Sequence, residues 1–233
     1  MAGLVSARNS FLLAALALAP AIALGLIAAG DTVVPGDVWV TRKVQAFDFP
    51  GVAQLERLGY HLGGTVGGLL QSFVVIAALA AARQYSAALL IALTLLARAL
   101  NPAIKELFDS PRPTPDLVEV AANATADPQT YGYPSGHTMG AVLFYGGVII
   151  IARQLLPPGR LRTALQALSL LLILIIAHSR IYSGAHWPSD VLGGALWGLG
   201  LLSLLVWVQP FIYERYAASS WSAETRSKGQ AER

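Results

Sequence analysis

Residues 179–213 read SRIYSGAHWPSDVLGGALWGLGLLSLLVWVQPFIY, and the stretch divides into two unlike parts. From Val191 to Tyr213 no side chain is charged and most are apolar, a run long enough for a helix to cross the ~30 Å hydrocarbon core of a bilayer. Just before it, Ser179–Asp190 packs an arginine, a histidine and an aspartate into one short connector. Five more apolar runs precede this one: Ser10–Gly30, Leu62–Ala82, Gln84–Ile104 (broken only by Arg98), Pro134–Ala152 and Thr163–Ala177. The pattern predicts an all-α fold, a bundle of six transmembrane helices.

Composition agrees, since 55% of the 233 residues are hydrophobic and only 12% charged, too oily for a soluble domain of this length. Short connectors leave room for a single domain, residues 1–216, followed by a polar tail, 217–233, expected to be cytoplasmic and disordered. No cysteine is present, which excludes disulfides and thiolate metal sites. The net charge of +3 sits mainly in connectors, where it sets membrane orientation rather than nucleic-acid binding.

The first run follows Arg8 and exceeds the 7–15-residue core of a cleaved signal peptide, so a retained helix is expected. A cytoplasmic N-terminus then puts Arg83, Arg153, Arg160, Arg162 and the basic tail inside, as the positive-inside rule asks. Both termini become cytoplasmic. The polar ends of helices three, four, five and six all open on the opposite face. Between helices one and two, Asp31–Tyr60 mixes aromatics with charges and is expected to form an interfacial segment or an exposed loop.

Three polar clusters occupy that outer face. Lys105 and Arg112 are separated by two helical turns, but Pro111 and Pro113 end the helix between them, so the pair can grip one anion from two sides or simply anchor a helix end. In Pro134-Ser135-Gly136-His137 the start of the fourth helix offers backbone N–H groups to an anion, with a histidine at its edge; a plain N-cap is the alternative. In the third, His186 and Asp190 are i and i+4 neighbours at a helix start, with Pro188 suited to the first turn. A carboxylate on one imidazole nitrogen leaves the other free to attack, although a structural cap has the same spacing. Two histidines and an aspartate also suggest zinc, but three nearby cations argue against a divalent ion.

Taken together, Lys-x6-Arg-Pro, Pro-Ser-Gly-His and Ser-Arg-x5-His-x3-Asp resemble the three signature motifs of the type 2 phosphatidic acid phosphatase (PAP2) superfamily, in family order, and the six spans resemble its integral-membrane lipid phosphatase branch. The resemblance implies a metal-independent, cofactor-free enzyme in which His186 attacks phosphorus to form a phosphohistidine. Asp190 would orient it, and His137 would protonate the leaving oxygen. Lys105, Arg112, Ser135, Gly136 and Arg180 would bind the phosphate. The implied setting is a bacterial inner membrane, with the site on the periplasmic or extracellular face.

The implied substrate is a lipid phosphate monoester or diphosphate: undecaprenyl diphosphate, phosphatidic acid or phosphatidylglycerol phosphate. The same residues also suit a lipid phosphotransferase, or a transporter or binding protein for anionic lipids. Arg98 matches no motif position, and the sequence leaves its role open between site floor and interhelical pairing. His61 and His178 are expected to be structural or interfacial.

Overall fold

The computed structural model describes residues 7–30, 33–47, 49–121 and 131–231, with side chains described only between residues 9 and 212. Among them the chain forms nine helices: α1 (Ala7–Ala28), α2 (Asp37–Ala46), α3 (Val52–Gly63), α4 (Thr65–Ala81), α5 (Tyr85–Arg98), α6 (Asn101–Phe108), α7 (Gly136–Leu155), α8 (Arg160–Tyr182) and α9 (Pro188–Ala231). Five stretches are long and apolar enough to cross a membrane alone: Asn9–Ala28, Tyr85–Phe108, Gly136–Leu155, Arg160–Tyr182 and Pro188–Ile212. The bent pair α3–α4 is apolar enough when taken together, and makes a sixth if counted as one span. The protein is a multi-pass membrane protein with an all-helical fold.

The distribution of side-chain size fits a lipid solvent. Small residues turn inward and large apolar ones outward: on α1, Ala21 is 0% exposed and Leu26 68%. Apolar lipid gives helices no hydrophobic reason to associate, so close backbone approach takes over. Gly194 and Gly198 on α9 show this, for a Cβ at Gly198 would lie 2.8 Å from Val142 Cβ on α7. One at Gly194 would lie 2.5 Å from the Ser135 carbonyl oxygen. These small residues therefore pack helices within one chain. α7 is the central element, touching α5, α8 and α9, while α1 lies along α9.

The second span departs from the uninterrupted Leu62–Ala82 helix that the apolar run suggested. It begins earlier, at Val52, and bends by 63° between α3 and α4, where Gly64 is extended. Backbone carbonyls freed inside a membrane need new donors. Gln71 Nε2 donates to the Leu62 and Gly67 carbonyls at 3.0 and 2.9 Å, and Arg98 Nη2 to that of Gly63 at 2.8 Å. Tyr145 in turn donates to Gln71 Oε1.

The segment between the first two apolar stretches contains a short helix, α2. Its exposed Trp39 contrasts with buried Asp37 and Thr41, and it packs on α8 and α9. The α9 helix runs on past the last span to Ala231. After Pro210 its residues include alanine, glutamate, arginine, lysine and glutamine but no further proline, a composition that favours helix.

Candidate active site

The three polar clusters converge at one end of the bundle. α6 ends there with Lys105 in its last turn, α7 begins there, α8 ends there with Arg180, and α9 begins there. Backbone hydrogen bonds lock these ends together. Ser135 N–H donates to the Asp190 carbonyl at 2.9 Å, and the His186 and Ala185 N–H groups both donate to the Arg180 carbonyl at 3.1 Å.

His186 faces Asp190 at the start of α9. Its Nδ1 lies 3.2 Å from Asp190 Oδ2, which also accepts from the Trp187 N–H at 3.0 Å. That partner fixes the proton on Nδ1 and leaves the Nε2 lone pair available. His186 is 4% exposed and Asp190 0%. Burial, then the charges of Lys105 and Arg112, then His137 and Arg180, hold the His186 imidazole well below its ordinary range, so it stands neutral. The start of α9 is itself capped from α2: Asp37 Oδ1 accepts from the Ser189 N–H at 2.9 Å, and Oδ2 from its hydroxyl.

Backbone carbonyls orient two of the cations. Lys105 Nζ donates to the Tyr131 and Gly132 carbonyls at 2.5 and 2.9 Å, and Arg112 Nη1 to the Ala185 carbonyl at 2.9 Å. Arg180 is held by side chains. Its Nη2 meets Glu56 Oε1 at 3.4 Å, its Nε donates to Ser179 Oγ at 3.2 Å, and its guanidinium lies 5.2 Å from the centre of the Tyr60 ring.

These groups surround a cavity of about 820 Å³. Lys105, Arg112, Arg180 and His186 line it together with Gly136 and His137, and Arg98 lines it as well. Leu69, Leu95 and Leu96 supply an apolar wall. The His137 and Tyr60 rings stand side by side in the cavity lining, their centres 5.9 Å apart. Among the described residues no three of His, Asp and Glu gather as a metal-ligand set. A site with this make-up can hold a phosphate dianion beside a neutral nucleophilic imidazole and a second imidazole placed to move a proton.

One predicted phosphate ligand, Ser135, is placed as a helix cap. Ser135 is fully buried and does not line the cavity. It is the N-cap of α7, its Oγ accepting from the Thr138 N–H at 3.4 Å and from the Thr138 hydroxyl at 3.2 Å. His178 stacks on Tyr182, and His61 packs edge-on against Tyr60; neither lines the cavity.

Sequence reasoning passed over Glu56 and Tyr60, which it placed in a connector. Their i, i+4 spacing, with Gly63 one further turn along, was the available signal: all three fall on the face of α3 that meets the site. Asp37 carried no comparable signal.

Comparison with known proteins follows the same lines. A sequence model described as the PAP2 superfamily matches residues 85–214, more than half of the chain. The fold is similar to a crystal structure described as the first transmembrane PAP2 type phosphatidylglycerolphosphate phosphatase from Bacillus subtilis. That similarity has a TM-score of 0.68 at 21% identity, and covers 83% of this chain and 94% of that one. Phosphatidylglycerophosphatase B of Bacillus subtilis is 28% identical over 109 residues, 46% of this chain and 50% of its own. An undecaprenyl-diphosphatase of Sulfolobus acidocaldarius is 32% identical over 82 residues, 35% of each chain. The alignments thus span half or less of these curated relatives.

Proposed function

From a chain that belongs to the PAP2 superfamily, we propose a membrane phosphatase that removes a terminal phosphoryl group from a lipid phosphate monoester or diphosphate. The observation that carries the reading is the His186–Asp190 pair, Nδ1 to Oδ2 at 3.2 Å, set in a cavity lined by Lys105, Arg112, Arg180 and His137. The lipid chain remains at the apolar wall and the phosphate meets the cations.

His186 Nε2 attacks phosphorus, giving a phosphohistidine as the bond to the leaving oxygen breaks. His137 donates a proton to that oxygen, then takes one from the water that releases orthophosphate. Asp190 stabilises the His186 ring as it gains charge. Lys105, Arg112, Arg180 and the Gly136 N–H at the open end of α7 hold the non-bridging oxygens. Side chains supply the positive charge that the transition state demands.

The site lies on the outer face of a bacterial inner membrane in this reading, with both termini cytoplasmic. The test is phosphate release from phosphatidic acid, phosphatidylglycerol phosphate and undecaprenyl diphosphate by detergent-purified protein, with and without EDTA, beside His186→Ala. Release from at least one lipid, unaffected by EDTA and absent in the variant, is expected. Release that persists in His186→Ala overturns the nucleophile. Strong EDTA inhibition overturns the metal-free mechanism.

A further inference from the structure

Arg98 is a charged side chain inside a membrane span that the mechanism above leaves unused. It closes α5 and lines the same cavity as the histidines. An intramembrane charge is costly unless it is paired or faces a polar cavity, and the oxygen that holds this one, the Gly63 carbonyl at 2.8 Å, is neutral. The guanidinium keeps its full charge. Glycines clear its path: a Cβ at Gly140 would lie 2.8 Å from Nη1, and one at Gly68 would collide with the same atom.

The cavity is ordered along its length. Lys105 lies on the Asp190 side, since its Nζ holds the Gly132 carbonyl and a Cβ at Gly132 would be 2.8 Å from Asp190 Oδ2. Arg98 lies on the His137 side, since both border Gly63, where a Cβ would be 3.0 Å from His137 Cδ2. Arg98 closes α5 while Lys105 stands in the last turn of α6, so the two cations reach the cavity from different helices and from different sides, an arrangement suited to two linked phosphates. Past Arg98 the wall turns apolar, with Leu69, Leu95 and Leu96.

We propose that Arg98 binds a second phosphate, the one joining the reacting phosphoryl group to the lipid, and so favours lipid diphosphates over lipid monophosphate esters. This inference rests on the phosphatase reading and deepens it. His186 Nε2 bonds to the terminal phosphorus, and the bond from that phosphorus to the bridging oxygen breaks. The electron pair stays on the bridging oxygen, which takes the His137 proton. A lipid monophosphate departs with its charge beside Arg98. In a simple monoester such as farnesyl phosphate the departing oxygen belongs to a neutral alcohol, and the Arg98 charge has no counterpart.

The test compares kcat/KM for farnesyl diphosphate and farnesyl phosphate in detergent-purified wild type, Arg98→Gln and Gly140→Ala. Wild type is expected to prefer the diphosphate, and the ratio of the two values to fall about 100-fold in Arg98→Gln, the usual effect of losing a preorganised donor. Gly140→Ala keeps the charge but displaces the guanidinium, and lowers the ratio less. Arg98→Lys keeps a cation and serves where the glutamine variant does not fold. Equal losses on both substrates mark a purely structural arginine and overturn the proposal, as does an unchanged ratio or a wild-type preference for the monophosphate. Release from neither farnesyl substrate by wild type that still hydrolyses phosphatidic acid overturns this inference alone, whereas release from no lipid phosphate at all overturns the phosphatase reading and this inference with it.

Discussion

The Ser135 backbone N–H donates to the Asp190 backbone carbonyl at 2.9 Å, joining the start of α7 to the start of α9. The helix that carries His137 and the helix that carries Asp190 are thereby held as one unit, although the two residues are far apart in the chain. The Ser135 side chain adds a separate contribution as the α7 cap. Ser135→Ala removes the cap and keeps the backbone bond. It is expected to cost about 1 kcal/mol of stability, seen as a lower melting temperature in detergent, with turnover reduced far less than in His186→Ala. A 100-fold loss of turnover at unchanged stability would put the hydroxyl on the phosphate instead.

Arg180 depends on α3, an element outside the span of the superfamily match. Glu56 holds one guanidinium nitrogen and the Tyr60 ring flanks the group, so the arginine is in position before phosphate arrives. Glu56→Gln is expected to lower kcat/KM about tenfold, equivalent to about 1.4 kcal/mol, with Glu56→Asp recovering part of the loss. Tyr60→Phe keeps the ring and should stay near wild type, whereas Tyr60→Ala should resemble Glu56→Gln. Steady-state kinetics on one lipid phosphate checks all four, and a gain in kcat/KM for Glu56→Gln would show that Glu56 competes with substrate.

Those two residues also mark what the sequence could and could not reveal. The spans were legible because lipid demands long apolar runs, and the clusters because charge is costly at their ends. Lys105, Arg112, Gly136, His137, Arg180 and His186 all line the cavity, as their spacing and the family motifs led one to expect. The bend at Gly64 was hidden, because glycines and apolar residues read alike whether a helix is straight or broken. What decides it is remote: Gln71 and Arg98 supply donors for carbonyls that the bend frees. Asp37 was hidden for the same reason, its partner Ser189 lying 152 residues away.

Asp37 buttresses the nucleophile indirectly. Its carboxylate accepts both the backbone and the hydroxyl hydrogen of Ser189, anchoring the first turn of α9 next to Asp190. Asp37→Ala leaves a buried N–H unsatisfied and should cost about 1–3 kcal/mol, with a drop in kcat as the His186–Asp190 geometry loosens. Asp37→Asn keeps an acceptor and should recover most of both. Melting curves and kcat measured on the same preparations test the pairing. Lost stability with kcat intact would restrict Asp37 to a structural role.

His186 gives the site a pH signature whose sign follows from its surroundings. Burial and the neighbouring Lys105, Arg112, His137 and Arg180 lower its proton affinity in the folded protein relative to the ordinary value of 6.5. When pH falls through about 6.5, the unfolded imidazole takes up a proton and the folded one does not, so the unfolded state gains and stability falls. Wild type without phosphate should therefore lose more melting temperature between pH 7.5 and 5.5 than His186→Gln, which has no imidazole to titrate there. Orthophosphate should reduce the difference, because a bound anion offsets the cations that oppose protonation. Identical pH slopes in the two proteins would mean that the nucleophile titrates normally, and that it is not held neutral among the three cations.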